Sequence, residues 1–125
     1  MIRRDYILRM IEEFVQALAR INELKQDRRW QEAAGVVDEE FQRLIGTGAD
    51  AVARLTETEL LASLIRGEPT QAVRDKTLML TALLKEAGDV AATQEHAKES
   101  RSCYLKGLHL LLETLAREEI GRAHV

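Results

Sequence analysis

The residue types that most often carry catalysis or bind metals are few in this chain. It has one cysteine, Cys103, and three histidines, His96, His109 and His124. His109 lies one helical turn before Glu113, and His96 lies two turns before Cys103, so each pair could share a helix face but supplies only two metal ligands. Cys103 would act as a nucleophile only beside a base and with a lowered pKa. The sequence therefore predicts no catalytic residue, no metal site and no cofactor.

Two pairs of neighbouring carboxylates, Glu12-Glu13 and Glu39-Glu40, are the remaining candidates for metal ligands. Helical bundles that bind two metal ions combine inward-facing carboxylates with Glu-x-x-His motifs, and the sequence contains no such motif. Charged residues are mostly exposed in folded proteins. We therefore expect both pairs to lie on solvated helix faces.

The composition of the 125 residues narrows the class of protein. Apolar residues make up 46% and aromatic residues only 4%, a balance that favours helices over strands because Leu and Ala dominate. The net charge of −3 argues against a nucleic-acid partner, which requires a basic surface. A single cysteine favours a reducing compartment, and no apolar run reaches the ~20 residues of a membrane span. These features predict a cytoplasmic protein without a membrane span.

The spacing of the apolar residues predicts an all-α fold of about five antiparallel helices, with long helices at both ends. The first helix is expected over residues 3–26, where apolar residues recur every three or four positions. These residues are Ile7, Ile11, Phe14, Leu18 and Ile21. Residues 1–120 are predicted to form a single helical domain, and residues 121–125 a frayed tail.

Short polar segments separate the next helices. Asp27 is a candidate N-cap for a helix that begins near Trp30 and ends at Gly46-Thr47-Gly48. Residues 49–55 fit a short helix or a helical turn. The segment Thr56-Glu57-Thr58-Glu59 has the spacing of a capping box, which predicts that a further helix starts there.

The last two helices differ in their apolar pattern. Thr70 begins a helix that is apolar nearly all round over residues 78–84, as is typical of a central, buried helix. Gly88 is predicted to end this helix, and Asp89 to cap a last helix over residues 90–119, with a break near residues 100–102 as an alternative. The second half of the last helix carries a stripe that we expect to face the core. It consists of Tyr104, Leu108, Leu111 and Leu115, broadened by Leu105 and Leu112.

Two segments resemble the turns of tetratricopeptide-like helical hairpins. In Ala87-Gly88-Asp89-Val90 a Gly-Asp pair stands between two amphipathic stretches, and in Arg28-Arg29-Trp30-Gln31-Glu32-Ala33 an aromatic and a small residue stand three positions apart. The resemblance implies a stack of helical hairpins with a protein-binding surface. The opening Asp5-Tyr6-Ile7-Leu8-Arg9-Met10-Ile11-Glu12 also resembles the start of a family of short uncharacterised bacterial helical proteins, which implies no activity.

The absence of chemistry-bearing motifs and the hairpin resemblance together predict a non-enzymatic protein–protein interaction or scaffold module. The partner is not identified by the sequence. An alternative remains open at this stage: a small helical-bundle enzyme or ligand-binding protein with a polar pocket around His96, Arg101 and Tyr104.

An excess of apolar residues on the two end helices predicts self-association into a homodimer. Soluble monomers rarely expose an apolar patch above a few hundred Å², and a twofold dimer is the commonest way to cover one. The first helix is expected to serve mainly the core, with its flanks left for a partner. The residues expected at the interface are Tyr6, Ile7, Met10, Ile11 and Phe14 in the first helix, and Leu105, Leu108 and Leu112 in the last.

Overall fold

The computed structural model describes the backbone of residues 2–66 and 70–123 and the side chains of residues 5–66 and 72–118. All regular structure in these residues is helical, which confirms the all-α prediction. The helices are α1 (Ile2–Gln26), α2 (Trp30–Ile45), α3 (Ala49–Arg54), α4 (Glu57–Ile65), α5 (Thr70–Thr93) and α6 (Ala97–Ala123). None of them, as far as they are described, is long and apolar enough to cross a membrane.

The turn between α1 and α2 is closed by a residue that is not glycine. Arg28 adopts the left-handed conformation with φ 59°, and the Arg29 amide donates back to the Leu24 carbonyl oxygen at 2.8 Å. This hydrogen bond reaches five residues back along the chain and is one of the two that define a Schellman motif, in which amides beyond the helix end donate to its last carbonyl oxygens. The residue preceding α2 is Arg29, without a side-chain cap. The prediction of Asp27 as the N-cap is therefore wrong.

The short segments in the middle of the chain follow the predicted local signals. Gly46 ends α2 in the left-handed conformation with φ 81°, where a residue without a Cβ is favoured. The capping box of α4 is present: the Thr56 amide donates to Glu59 Oε1 at 3.0 Å, and the Glu59 amide donates to Thr56 Oγ1 at 3.2 Å. Residues 49–54 form the short helix α3, as one of the two predicted alternatives.

The helix α5 does not end where its glycine predicts. It continues through Gly88 and Asp89 to Thr93, so the predicted helix end, the N-cap at Asp89 and the hairpin turn at residues 87–90 are wrong. The chain turns instead at residues 94–96, where Glu95 takes the left-handed conformation with φ 63° and the His96 amide donates to the Ala91 carbonyl oxygen at 3.0 Å.

Gly88 is required by packing rather than by a turn. A Cβ at this position would overlap the ring of Tyr104 on α6. Ser100 Oγ donates to the Gly88 carbonyl oxygen at 2.9 Å across the same contact. A glycine inside a helix costs about 1 kcal/mol relative to alanine, and here it permits the close approach of α5 and α6. Gly88, which was predicted to end the helix, therefore allows α5 and α6 to pack closely instead.

The core is centred on α5, which contacts α1, α2, α4 and α6. Leu80, Leu83 and Leu84 are fully buried, which confirms the prediction that this segment is central. The side chains around them come from the neighbouring helices, with Ile21 from α1 and Phe41 from α2 among the largest that are fully buried. The helices α1 and α2 pack together, as do α5 and α6, and the contact between α2 and α5 joins the two pairs.

Candidate functional site

Four leucines on α6 face away from the rest of the molecule. Counted at 100° per residue, they fall within about 40° of the direction opposite Leu110, which is fully buried. Each of these leucines has between 47% and 53% of its surface exposed. We call this set the outer stripe; it consists of Leu105, Leu108, Leu112 and Leu115. The sequence predicted that these four leucines face the core together with Tyr104 and Leu111. That prediction is wrong for the four leucines and for Tyr104, which is 41% exposed, and Leu111 is half-buried.

The core-facing side of α6 is instead built largely from small and polar residues. Its buried members include Ser100, Lys106, Gly107, Leu110 and Thr114. Thr114 satisfies its hydroxyl within the helix by donating to the Leu110 carbonyl oxygen at 2.9 Å. A Cβ at Gly107 would lie 3.5 Å from Leu84 Cβ, so the backbones of α5 and α6 approach closely at this point. Small residues at a helix contact permit this close approach, and larger leucines on this side would prevent it.

A buried lysine on the same side joins α6 to α3. Lys106 Nζ donates to the carbonyl oxygens of Val52 and Ala53 at 3.2 Å and 3.0 Å. These carbonyls belong to the last turn of α3, where a cation interacts favourably with the negative end of the helix. Only the alkyl stem of a lysine is apolar, so its burial here depends on these two hydrogen bonds. The periodicity of the sequence gives no sign of this contact.

The outer stripe is flanked by residues that lock α6 to its neighbours. His109 Nδ1 lies 3.0 Å from Glu57 Oε1 on α4. The pKa of Glu57 is lowered, chiefly by a hydrogen bond from a backbone amide and also by His109. On the other flank, Tyr104 Oη donates to Asp89 Oδ1 at 2.5 Å. These contacts fix the rotation of α6 about its axis and thereby keep the outer stripe turned outward.

Asp89 is part of a half-buried ionic cluster that joins α1, α5 and α6. Lys25 Nζ donates to Glu86 Oε2 and to Asp89 Oδ2, both at 2.7 Å, and Lys85 Nζ lies 2.8 Å from Asp89 Oδ2. Burial acts to raise the pKa of Asp89, but hydrogen bonds from Lys25, Lys85 and Tyr104 outweigh it and lower the pKa to about 2. Burial likewise acts to lower the pKa of Lys25, and its two carboxylate partners reverse this and raise it. Every charge in the cluster has a partner, which is the pattern of a structural network.

Two grooves extend the apolar surface from α6 across α5 to α1. One lies between α5 and α6 and is lined by Tyr104, Leu108 and Leu111, together with Thr81 and Lys85 of α5. The other lies between α1 and α5 and is lined by Val15, Leu18, Ala19 and Asn22, again with Thr81 and Lys85. The two grooves therefore share a ridge on α5, and apolar side chains of α1 and α6 reach the same side of the molecule.

The residues of α1 that were expected at an interface differ from one another in their exposure to solvent. Phe14 is 5% exposed and belongs to the core, and Met10 and Ile11 pack against that core. Ile7 is half-buried. Tyr6 is 57% exposed and is therefore accessible to a partner. The leucines of α6 thus present more accessible apolar surface than the predicted residues of α1.

A separate cavity of about 510 Å³ lies where α2, α3, the end of α5 and the start of α6 meet. The residues that line it include the apolar Val37, Phe41 and Val52 and also His96, Glu99 and Cys103. His96 Nδ1 lies 3.1 Å from Glu99 Oε2. Of the three residues predicted to form a polar pocket, His96 lines this cavity, Tyr104 lines the α5–α6 groove, and Arg101 lines neither. The structure does not bring the three together in one pocket.

Cys103 and Glu40 are both at least partly buried, and burial raises the pKa of each. Burial raises the pKa of the Cys103 thiol, so the thiol remains protonated near neutral pH and is a weak nucleophile. Glu40 is buried, contrary to the expectation of a solvated face, and burial raises its pKa. Arg43 Nη1 lies 3.6 Å from Glu40 Oε2 and 3.8 Å from Glu13 Oε2. Among the described residues, no group of three His, Cys, Asp or Glu side chains could hold a metal ion.

Comparison with known proteins gives no relative for this chain: no family model, no curated protein and no solved structure matches it.

Proposed function

We propose that this chain is a non-enzymatic protein–protein interaction or scaffold module, and that it self-associates through α6. The observation that carries the proposal is the outer stripe, four half-exposed leucines on one side of a well-anchored helix. Exposed apolar patches rimmed by polar residues are typical of interaction sites. The pairing of α1 with α2, whose turn adjoins one of the two segments that resemble tetratricopeptide-like turns, supports that analogy, whereas the other segment, residues 87–90, lies inside α5.

The arrangement of α6 supports an interaction role over a purely structural one. The protomer obtains its core contacts from the small and polar side of α6, so the outer stripe contributes little to the fold of one chain. Leucine has a high helix propensity, but polar residues such as lysine and glutamine have a similar one. Helix formation alone therefore does not require leucine at these exposed positions. A second copy that covers the stripe gives these four leucines a physical role.

The test is the mass of the protein in solution. We expect sedimentation velocity to give twice the protomer mass of 14.1 kDa at micromolar concentration, and the double variant Leu108→Gln/Leu112→Gln to sediment as a monomer with unchanged helicity. The matched control is Leu8→Gln/Ile65→Gln, which removes two exposed apolar side chains that line neither groove, and it should remain dimeric. An unmodified chain that stays at 14.1 kDa over this range would contradict the proposal.

The cavity lined by His96 favours a second candidate function, the binding of a small apolar ligand. Its volume of about 510 Å³ falls within the range of about 300–1,000 Å³ that ligand sites occupy. The variant Ala91→Trp places a large side chain against this cavity and should abolish any ligand-dependent rise in melting temperature. A ligand that stabilises both proteins equally would bind elsewhere.

A further inference from the structure

The residue pattern of the outer stripe predicts the orientation of a partner helix as well as the existence of a partner. Its residues follow the spacing three, four, three: from Leu105 to Leu108, then to Leu112, then to Leu115. This is the spacing of the apolar positions in a two-helix coiled coil. The same spacing read backwards is identical, so the stripe superimposes on itself when the helix direction is reversed. A self-complementary pattern of this kind matches a twofold interface, in which one patch meets its own copy.

The charges that precede the stripe distinguish the two orientations. Continuing the same spacing towards the start of α6 leads to Arg101 and then to Lys98, both exposed. In a parallel pair these cations would meet their own copies, and like charges placed opposite each other are destabilising. In an antiparallel pair centred on the stripe, the two copies of Arg101 stand 18 residues apart along the axis, about 27 Å at 1.5 Å per residue. That separation is well beyond the screening length of about 8 Å at physiological ionic strength.

The positions beside the stripe place no fixed charge in the contact. Next to the leucines on either side are Tyr104, His109, Leu111 and Ala116, none of which is a carboxylate, a lysine or an arginine. Charged residues at these flanking positions commonly select between partners in coiled coils. Their absence here leaves the charges that continue the spacing at the two ends of the stripe as the determinants of orientation: Arg101 and Lys98 before it, and Glu119 and Arg122 after it in the sequence.

We infer that two copies of the chain pair their α6 helices antiparallel, with Leu105 opposite Leu115 and Leu108 opposite Leu112 across a twofold axis near residue 110. The inference rests on the proposed self-association and specifies its geometry. Each leucine of one copy fills the space between leucines of the other, and the two basic helix starts lie at opposite ends of the pair. The α5–α6 groove, lined by Leu108 and Leu111, continues this contact towards α5.

Disulfide formation between variants that carry one cysteine each tests the orientation directly. Cys103→Ala removes the native thiol, and Leu105→Cys and Leu115→Cys are then made separately in that background. In the antiparallel pair these two positions face each other, whereas two copies of position 105 stand 10 residues apart, about 15 Å along the axis. Such a separation is far beyond the 4.4–6.8 Å between Cα atoms that a disulfide spans. The exposed residue Gln16 of α1, changed to Cys in the same background, measures the rate of random collision.

We expect the equimolar mixture to form disulfide-linked dimers about a hundredfold faster than the Gln16→Cys control, because paired side chains reach effective concentrations near millimolar. Each variant alone should crosslink at the control rate. Faster crosslinking of the single variants than of the mixture would establish parallel pairing and overturn the inference. Dimers in sedimentation without rapid crosslinking at either position would overturn the orientation and leave self-association standing. Monomers in sedimentation would instead contradict the proposed function itself.

Discussion

The inner and outer faces of α6 are built from opposite kinds of residue. The inner face packs against α5 and α3 with Ser100, Lys106, Gly107 and Thr114, while the outer face carries four leucines that the protomer leaves half exposed. Side-chain size explains the difference on the inner side, because small residues allow the helix axes to approach closely. It does not explain the outer side, where no contact among the side chains of residues 5–66 and 72–118 requires leucine. Apolar content alone therefore does not identify the side of a helix that faces the core.

The strongest test of this comparison removes one leucine from each face. Leu110→Ala should lower the free energy of unfolding by about 2–5 kcal/mol, because it leaves a cavity beside fully buried neighbours. Leu112→Ala, on the outer face, should change it by less than about 0.5 kcal/mol when the protein is dilute enough to be monomeric. Urea denaturation at low protein concentration measures both. Equal losses would show that the two faces are equivalent in the protomer.

The two glycines of the α5–α6 contact should respond in opposite directions to the same change. Gly88→Ala should destabilise the fold by about 1–3 kcal/mol, because the new Cβ overlaps the Tyr104 ring and forces it to move. Gly107→Ala meets its nearest atoms at an ordinary contact distance of 3.5 Å and should be neutral or stabilising by up to about 1 kcal/mol. Thermal melts monitored by circular dichroism compare them. Stabilisation by both substitutions would mean that Tyr104 is not held in place.

Low pH should weaken the contacts that hold the inner face of α6 and leave the leucines of its outer face unaffected. The folded pKa of Asp89 is about 2, below its ordinary value of 3.8, so its contribution is fully present above about pH 4 and is lost as the pH falls towards 2. The shift corresponds to about 2 kcal/mol. We expect this part of the acid dependence to be absent in Asp89→Asn, which is less stable than the unmodified chain at pH 6.

The control for this pH dependence is Glu113→Gln, which removes an exposed carboxylate from the surface of α6. Urea denaturation at pH 6, 4 and 2 gives the three profiles. If Asp89→Asn loses as much stability between pH 4 and pH 2 as the unmodified chain, Asp89 is not the titrating group.

The smallest expected effect concerns the turn that begins α6. Glu95 holds a left-handed conformation that glycine adopts without steric cost, so Glu95→Gly should stabilise the fold by up to about 1 kcal/mol. The converse control is Gly46→Ala, which puts a Cβ into the same conformation at φ 81° and should destabilise the fold by a similar amount. Melting temperatures that move together in the two variants would show that these turns are governed by something other than backbone conformation.

Local signals in the sequence were reliable where a few neighbouring residues are sufficient for the structure. The capping box at Thr56, the end of α2 at Gly46 and the central position of Leu80 and Leu84 were all predictable, because each depends on the local backbone or on an unbroken apolar surface. The turns at Arg28 and Glu95 use charged residues in a conformation that usually selects glycine. The true position of the turn before α6 was therefore missed, and Gly88 was assigned to it instead.

The candidate interaction surface was predicted in its residue types but not in its direction. Leu105, Leu108 and Leu112 were predicted both to lie at an interface between copies and to face the core, and the structure leaves them half exposed. When a helix has apolar residues on two sides, either side could face the core. The sequence pattern favours the side with the larger apolar side chains. In the folded protein, the side that faces the core is the one that lets neighbouring helix backbones approach closely, and in α6 this is the side that carries Gly107.

The sequence by itself determined that this chain is helical, where most of its helices begin, and which segment forms the centre of the core. Those properties follow from backbone propensity, capping groups and apolar spacing, all of which act within a few residues. Only the tertiary structure decided the rotation of α6, the use of Lys106 to hold α3, and the ionic cluster of Lys25 with Glu86 and Asp89. The hydrogen bonds of Lys106 and Lys25 join residues 53 to 64 positions apart in the chain. Their energies depend on burial and geometry, which exist only after the helices have packed.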